Sequence, residues 1–322
     1  MDSVPAMPAG ESAALTRQVT LYSVMTAAVL VAIKIAAWLV SGSVALMASM
    51  ADSALDLLAS AGTFFAVRYA VAPPDREHRY GHGKAEAFAS LFQGGLVFAS
   101  AALIGREAVV DLISPHRLQE QGWAVAVMVV STALTALLLA AQTRVLKQTA
   151  SVAVSGDRAH YAADLTSNMI ALVGIALTAL IGLNWLDAAA ALAVAALLLW
   201  GAIGVFREAA NQLLDKELPS DARARIVALI SRDRRITGVH QLRTRAAGPF
   251  VHMQMHVDLD PELSLEAAHE VIVAAEKRVL QDFPSADIII HADPRGRAEP
   301  HGGAFPEHGA EGAEPFHAST RR

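Results

Sequence analysis

Asp52 and Asp56 stand four residues apart inside the long apolar run VALMASMADSALDLLASAGTFFAV. His160 and Asp164 repeat that interval in DRAHYAADLTSNM, at the head of another apolar run. An i, i+4 interval places both members on one helix face, about 6 Å apart along the axis at ~1.5 Å per residue. The wet face of a surface helix does not account for the first pair, because residues on every side of that run are apolar or small. An ionisable group inside a membrane span costs at least ~2.5 kcal/mol on insertion scales and normally faces a cavity or a partner. Three carboxylates and one imidazole on two helices can close a tetrahedral shell around Zn²⁺ at ~2.0–2.2 Å. The same oxygen-rich set admits Cd²⁺, Fe²⁺ or Co²⁺, and affinity order alone does not choose among them. The competing reading is a set of packing residues, kept protonated or paired with a lysine.

Two further clusters have ligand chemistry. In DREHRYGHGKAE, Asp75, His78 and His82 can form a three-ligand site with water as the fourth, or be histidines solvated beside arginines. Toward the C-terminus His240, His252, His256, His269, His291 and Asp293 gather within about fifty residues. His252 and His256 lie four apart on an expected strand and therefore point to one face. Scattered surface histidines are the alternative. His301, His308 and His317 fall in a Gly-, Pro- and Glu-rich stretch and read as solvated.

The elements that must position these residues are mostly membrane-length. The 322 residues are 54% hydrophobic and only 18% charged, with a mean hydropathy of +0.38, an apolar excess over ordinary soluble domains. Runs near 19–40, 44–67, 85–105, 123–141, 161–183 and 188–206 each approach the ~20 residues that cross a bilayer core. Six spans put both termini on one side. The connection after span two carries Arg68, Arg76, Arg79 and Lys84, and that after span four carries Arg144, Lys147 and Arg158. Those after spans one and five carry neither Lys nor Arg, and that after span three has Arg117, with Arg106 at the span's end. Both termini are therefore expected in the cytoplasm, with Trp38, Trp123 and Trp185 at the opposite interface. A net charge of −5 gives no hint of a nucleic-acid partner. The absence of cysteine excludes disulfides and thiolate sites. The first eighteen residues lack the pattern of a removable signal peptide.

Beyond about residue 210 the texture becomes that of a small soluble domain. Residues 220–233 show helical spacing after the cap candidates Ser220 and Asp221. VHQLRTRAA and FVHMQMHVDLD alternate around a Gly-Pro turn and predict paired strands. Residues 264–283 predict a second helix, with Ser264 and Glu266 in its first turn, and ADIIIHAD a third strand. The order helix-strand-strand-helix-strand suits a small open α+β sandwich. The expected division is a flexible N-terminus over 1–14, a six-helix transmembrane domain over 15–211, a cytoplasmic α+β metal-binding domain over 212–294 and a disordered tail over 295–322.

The motifs DSALD, HRYGHGKAEAFASL, HYAADLTSN, LLDKELP, GVHQLRTR and IIIHADP occur here in the order found in the cation diffusion facilitator family, and residues 15–294 resemble its bacterial zinc and ferrous-iron efflux branch. The resemblance implies a multi-pass helical membrane protein with a metallochaperone-like cytoplasmic domain, working as a homodimer. It implies a transport site at Asp52, Asp56, His160 and Asp164 and a loop site at Asp75, His78 and His82. A two-metal cytoplasmic site would come from His240, His256, His269, His291 and Asp293, the last able to bridge. It implies a hinge ion pair of Lys84 with Asp215. His252 departs from the family pattern. The implied activity is proton-coupled export of Zn²⁺, with Cd²⁺ and Fe²⁺ as further cargo, across the cell (inner) membrane, with metal ions, protons and membrane lipid as partners. Asp and His must shed protons to bind metal, which links loading to proton release. No Walker motif is present, and HEVIV at 269–273 lacks the second histidine of a zinc-protease helix, so an enzyme is not expected. A metal-gated channel or a membrane metal sensor could use the same ligands without coupling.

Overall fold

The computed structural model describes residues 7–41, 44–113, 122–181 and 184–297. Arg117, the tail with His301, His308 and His317, and the side chains of Trp123 and Trp185 lie outside what is described. The chain divides into two units, residues 10–214 and the chain from Asp215 onward with residues 1–9.

Among the described residues the first unit has six long helices: α1 (Ala9–Ser41), α2 (Val44–Ala70), α3 (Ala85–Ile113), α4 (Gly122–Thr149), α5 (Val152–Ile181) and α6 (Asn184–Leu213). Each has between 27 and 33 residues, more than a bilayer core requires. Their surface is inside out by the standard of a water-soluble fold. Leu39, Leu58, Phe65, Phe88, Leu137 and Trp200 are exposed, while Thr20, Ser60, Gln93, Gln142, Asp157 and His160 are buried. That distribution suits an apolar solvent, in which side-chain polar groups must be satisfied internally.

The helices run past the apolar segments read from the sequence. α1 begins at Ala9, within the stretch expected to be flexible, and α6 continues to Leu213, which moves the boundary between units to 214/215 from the expected 211/212. α5 starts at Val152, so His160 sits two turns inside the helix and not at its head. The polar residues Asp157 and Arg158 extend this helix because neighbouring side chains satisfy them: Gln93 and Gln142 donate to Asp157, and Arg158 Nε donates to Thr143. α5 also crosses α3 at very close range. A Cβ on Gly156 would lie 2.9 Å from the Ser90 Cα.

In the second unit α7 (Ser220–Ile230) is followed by β1 (Gly238–Ala247), β2 (Phe250–Leu259), α8 (Leu265–Asp282) and β3 (Ala286–Pro294). The sheet order is β1-β2-β3, with β1 antiparallel and β3 parallel to β2, so α8 is the crossover of a βαβ unit. The expected element order is observed. Pro219, not Ser220 or Asp221, caps α7, with no side-chain bond, whereas Ser264 caps α8 by accepting from the Ala267 N–H at 3.2 Å. Val251, Met253, Met255, Val257 and Leu259 of β2 pack with Val271, Ala275 and Val279 of α8 and Ile226 and Ile230 of α7. The alternate residues His252, Gln254, His256 and Asp258 therefore occupy the other face.

β1 does not alternate cleanly. Val239, then Leu242 and Ala246, meet the core, a change of parity that needs one extra residue. A bulge between His240 and Arg243 supplies it, with Gln241 at φ 50°.

The α3–α5 crossing gives a direct test. Gly156→Ala should destabilise the membrane unit by ~1–3 kcal/mol through overpacking against backbone. Gly62→Ala, which would meet nothing within 4 Å, should be near neutral or mildly stabilising in its helix. Thermal melting of the two detergent-solubilised variants reads the difference, and equal midpoints would refute the close crossing.

Candidate metal centres

The first centre lies between α2 and α5. His160 Nε2 is 3.0 Å from Asp56 Oδ1 and 3.7 Å from Asp164 Oδ2. One ligand atom from each of these three residues falls within 4.8 Å of the others. Four-residue spacing on α5 stacks His160 on Asp164, and α2 brings Asp56 across to them. Asp52 is not brought in: it lies one turn away along α2 and is exposed. At 3.6 residues per turn, the two α2 carboxylates differ by only about 40° around the helix axis. Lys34 on α1, not among the residues expected here, reaches α2. Its ammonium donates to Ser53 Oγ at 2.6 Å, one residue along α2 from Asp52. A cation in an apolar run was the available signal.

The second centre is the connection between α2 and α3. Asp75 Oδ1 accepts the backbone N–H groups of Glu77 (2.8 Å) and His78 (2.6 Å). Those bonds, the His78 N–H first, hold its carboxyl below the usual aspartate range. Gly81, at φ 80°, turns the chain so that His82 returns beside His78, ring centroids 4.7 Å apart. His78 Nδ1 lies 3.4 Å from Asp75 Oδ1, and His82 Nε2 lies 3.3 Å from Oδ2. The Nδ1–H of His82 can donate to the Ala72 carbonyl at 3.3 Å, leaving Nε2 for a ligand. Asp75 and His78 are exposed while His82 is buried, which makes this an open, surface site.

The third centre is a row across the sheet. His240 pairs with His256, and His256 with His291, so one residue from each strand stands side by side on the face away from the helices. Asp293, almost fully buried, sits beneath the row. Its Oδ2 is 2.9 Å from His256 Nδ1 and 3.4 Å from His240 Nε2, and its Oδ1 is 3.3 Å from His291 Nε2. One carboxylate thus faces histidines with both oxygens, the geometry a bridging ligand needs. Asp258, absent from the sequence reading, stands 3.6 Å from His240. It lies over Gly238, where a Cβ would collide with it. His252 pairs separately with Asp287 at 3.1 Å, and His269 is exposed on α8, outside the row. Lys84 donates to the Leu213 carbonyl at 3.2 Å, and Asp215 accepts from Arg245 at 3.2 Å.

The family model described as the cation efflux transmembrane domain matches residues 20–214. The model described as the cation efflux protein cytoplasmic domain matches residues 218–295. The chain is 39% identical over 282 residues to the cation-efflux pump FieF of Serratia proteamaculans, covering 88% of this chain and 94% of that protein. It is 40% identical over 272 residues to FieF of Shewanella oneidensis, covering 84% and 92%. A solved metal-bound C-terminal domain of the CzcD transporter from Thermotoga maritima is 29% identical, with a TM-score of 0.24, over 24% of this chain and 93% of that one.

The sheet row makes a prediction about rank order. Asp293→Asn should weaken zinc binding at the sheet row more than His240→Ala, because Asp293 faces three imidazoles. Calorimetric zinc titration of both variants checks it, with Asp287→Asn expected to bind as the parent does. Equal affinity for parent and Asp293→Asn would remove the row as a metal centre.

Proposed function

The chain belongs to the cation efflux family, and on that premise we propose that it exports divalent metal cations, Zn²⁺ foremost with Cd²⁺ and Fe²⁺ as further cargo, in exchange for protons. It is a multi-pass helical membrane protein with six transmembrane helices and a C-terminal α+β domain. The proposal extends to the finer assignments: the cell inner membrane, both termini in the cytoplasm, and a working homodimer. The role proposed is that of a transporter and not of an enzyme. The observation that supports it is the meeting of Asp56, His160 and Asp164 on two membrane-length helices.

The geometry offers a mechanism for exchange. When His160 is protonated, its Nε2–H can donate to Asp56, with Asp164 close by. Cargo binding needs the same Nε2 lone pair and the same carboxylate oxygens, so a metal ion and protons are alternatives at one place. Loading from the cytoplasm expels protons, and protons arriving from the far side expel the metal. Asp52 is the proposed fourth ligand. A modest rotation of α2 would carry it toward the three, which makes site completion and helix movement one event. Lys34 can hold the carboxylates' charge between cargoes. The loop cluster at Asp75, His78 and His82 is proposed as an entry or holding site for metal. The row of His240, His256, His291 and Asp293 is proposed as a two-metal centre. His269, exposed on α8, can join that centre from a second copy.

Reconstitution in proteoliposomes tests this reading. Asp56→Asn and His160→Ala should each lower zinc flux at least a hundredfold, since each removes one ligand from a small set. A pH gradient, acidic on the far side, should drive zinc transport against an opposing zinc gradient. Flux that only ever follows the zinc gradient would instead indicate a channel. His160→Asp should shift the Zn²⁺-to-Mn²⁺ transport ratio toward Mn²⁺, because an all-oxygen shell loses the imidazole's preference for zinc. An unchanged ratio would argue against His160 as a ligand.

A further inference from the structure

One turn along from the α2–α5 centre lies a second polar cluster that the transport scheme does not use. Asp157 on α5 is fully buried, and Ser23, Ser60, Thr63, Gln93, Gln142 and Tyr161 around it are each at most 2% exposed. Gln93 Nε2 donates to Asp157 Oδ1 at 2.9 Å and to Thr63 Oγ1 at 3.0 Å. Gln142 Nε2 donates to Asp157 Oδ2 at 2.8 Å and to Ser23 Oγ at 3.1 Å. Ser60 Oγ meets Tyr161 OH at 2.8 Å and reaches Asp157 Oδ1 at 3.5 Å. Tyr161 OH lies 3.2 Å from the Ser23 carbonyl, to which it can donate. One carboxylate thereby ties together α1, α2, α3, α4 and α5.

The amide orientations are informative. Both glutamines turn nitrogen to the carboxylate, and both amide oxygens are left buried without a partner. An unsatisfied buried carbonyl is costly. The arrangement is favourable only while Asp157 accepts on both oxygens. The cluster also repeats the transport centre's geometry. Ser60 follows Asp56 by four residues on α2, and Asp157 precedes His160 by three on α5, so each helix presents a site residue and a cluster residue one turn apart. Rotation or sliding of α2 against α5 that spoils one level spoils the other.

We propose that Asp157 is a positioning residue for transport, fixing the register of α2 against α5 so that Asp56 meets His160 and Asp164 at a spacing that discriminates between cations. The inference rests on the reading of those three residues as cargo ligands. With the clamp loosened, the ligand shell binds zinc less tightly and is more tolerant of the larger Cd²⁺.

The test uses full-length protein in proteoliposomes, with Zn²⁺ and Cd²⁺ each supplied alone and flux normalised to folded protein. Asp157→Asn keeps the shape but replaces one accepting oxygen by a donor. Ser60→Ala cuts the α2 tie to Tyr161 and leaves Asp157 with both amides. Both should raise KM for Zn²⁺, roughly five- to tenfold for Asp157→Asn, the scale of one or two lost hydrogen bonds, and roughly twofold or more for Ser60→Ala. Both should lower the Zn²⁺-to-Cd²⁺ ratio of Vmax/KM. A residue needed only for folding would reduce the yield of active protein and leave KM and the ratio untouched, and that result in either folded variant overturns the proposal. Where Asp157→Asn does not fold, Ser60→Ala decides alone. His160→Ala runs alongside as reference. Lost transport there with unchanged KM and ratio in the other two defeats the positioning role only. Wild-type transport in His160→Ala defeats the ligand reading and this inference with it.

Discussion

Polar side chains in the membrane unit have no solvent to turn to except one another, and the packing of its helices follows from that. Outside, Leu39, Leu58, Phe65, Leu137 and Trp200 are exposed; inside, Thr20, Ser60, Gln93, Gln142 and Asp157 are buried. Lipid chains are as apolar as leucine, so apolar burial gives little drive for one helix rotation over another. Hydrogen bonds and close approach must choose instead. Here the bonds converge on Asp157, and the close approach is Gly156 against Ser90 on the neighbouring residue. α5 is accordingly the organising helix, and the candidate transport ligands are placed on it and on the α2 face it meets.

The second unit presents the same residue types by the opposite rule. Its apolar core lies between sheet and helices, and His240, His252, His256 and His291 are on the sheet face left open. Alternation along β2 assigns sides, pairing assigns neighbours, and the row His240–His256–His291 follows from the two together. The two units thus reach imidazole–carboxylate clusters through different geometry: stacking by four on helices in one, cross-strand pairing in the other.

Much of this was legible in the sequence, for identifiable reasons. Helical spacing is local, so Asp52, Asp56, His160 and Asp164 could be paired by interval alone, and the six apolar runs could be counted by length. Facing across helices is not local. The exposure of Asp52, one turn from the cluster it was expected to complete, depends on how α2 is rotated, and no interval encodes that. Asp157 sat outside the expected start of its helix, because a charged dipeptide reads as a helix end unless buried glutamines on α3 and α4 are known to meet it. The loop trio was readable because Asp75, His78 and His82 lie within one short turn. Which histidines Asp293 faces needed strand register, and the separate His252–Asp287 pair needed it too.

The bulge at Gln241 bears on how related chains are compared. Ahead of it, odd-numbered Val239 faces the core; after it, even-numbered Leu242 and Ala246 do. His240 therefore owes its side of the sheet to one supernumerary residue. In an alignment, a single-residue gap at this point would look like harmless length variation at a strand end. Physically it would invert β1 on one side of the gap, sending His240 into the apolar core or a core valine into water. Gap placement within GVHQLR is thus a chemical statement about whether a homologue keeps its first sheet histidine.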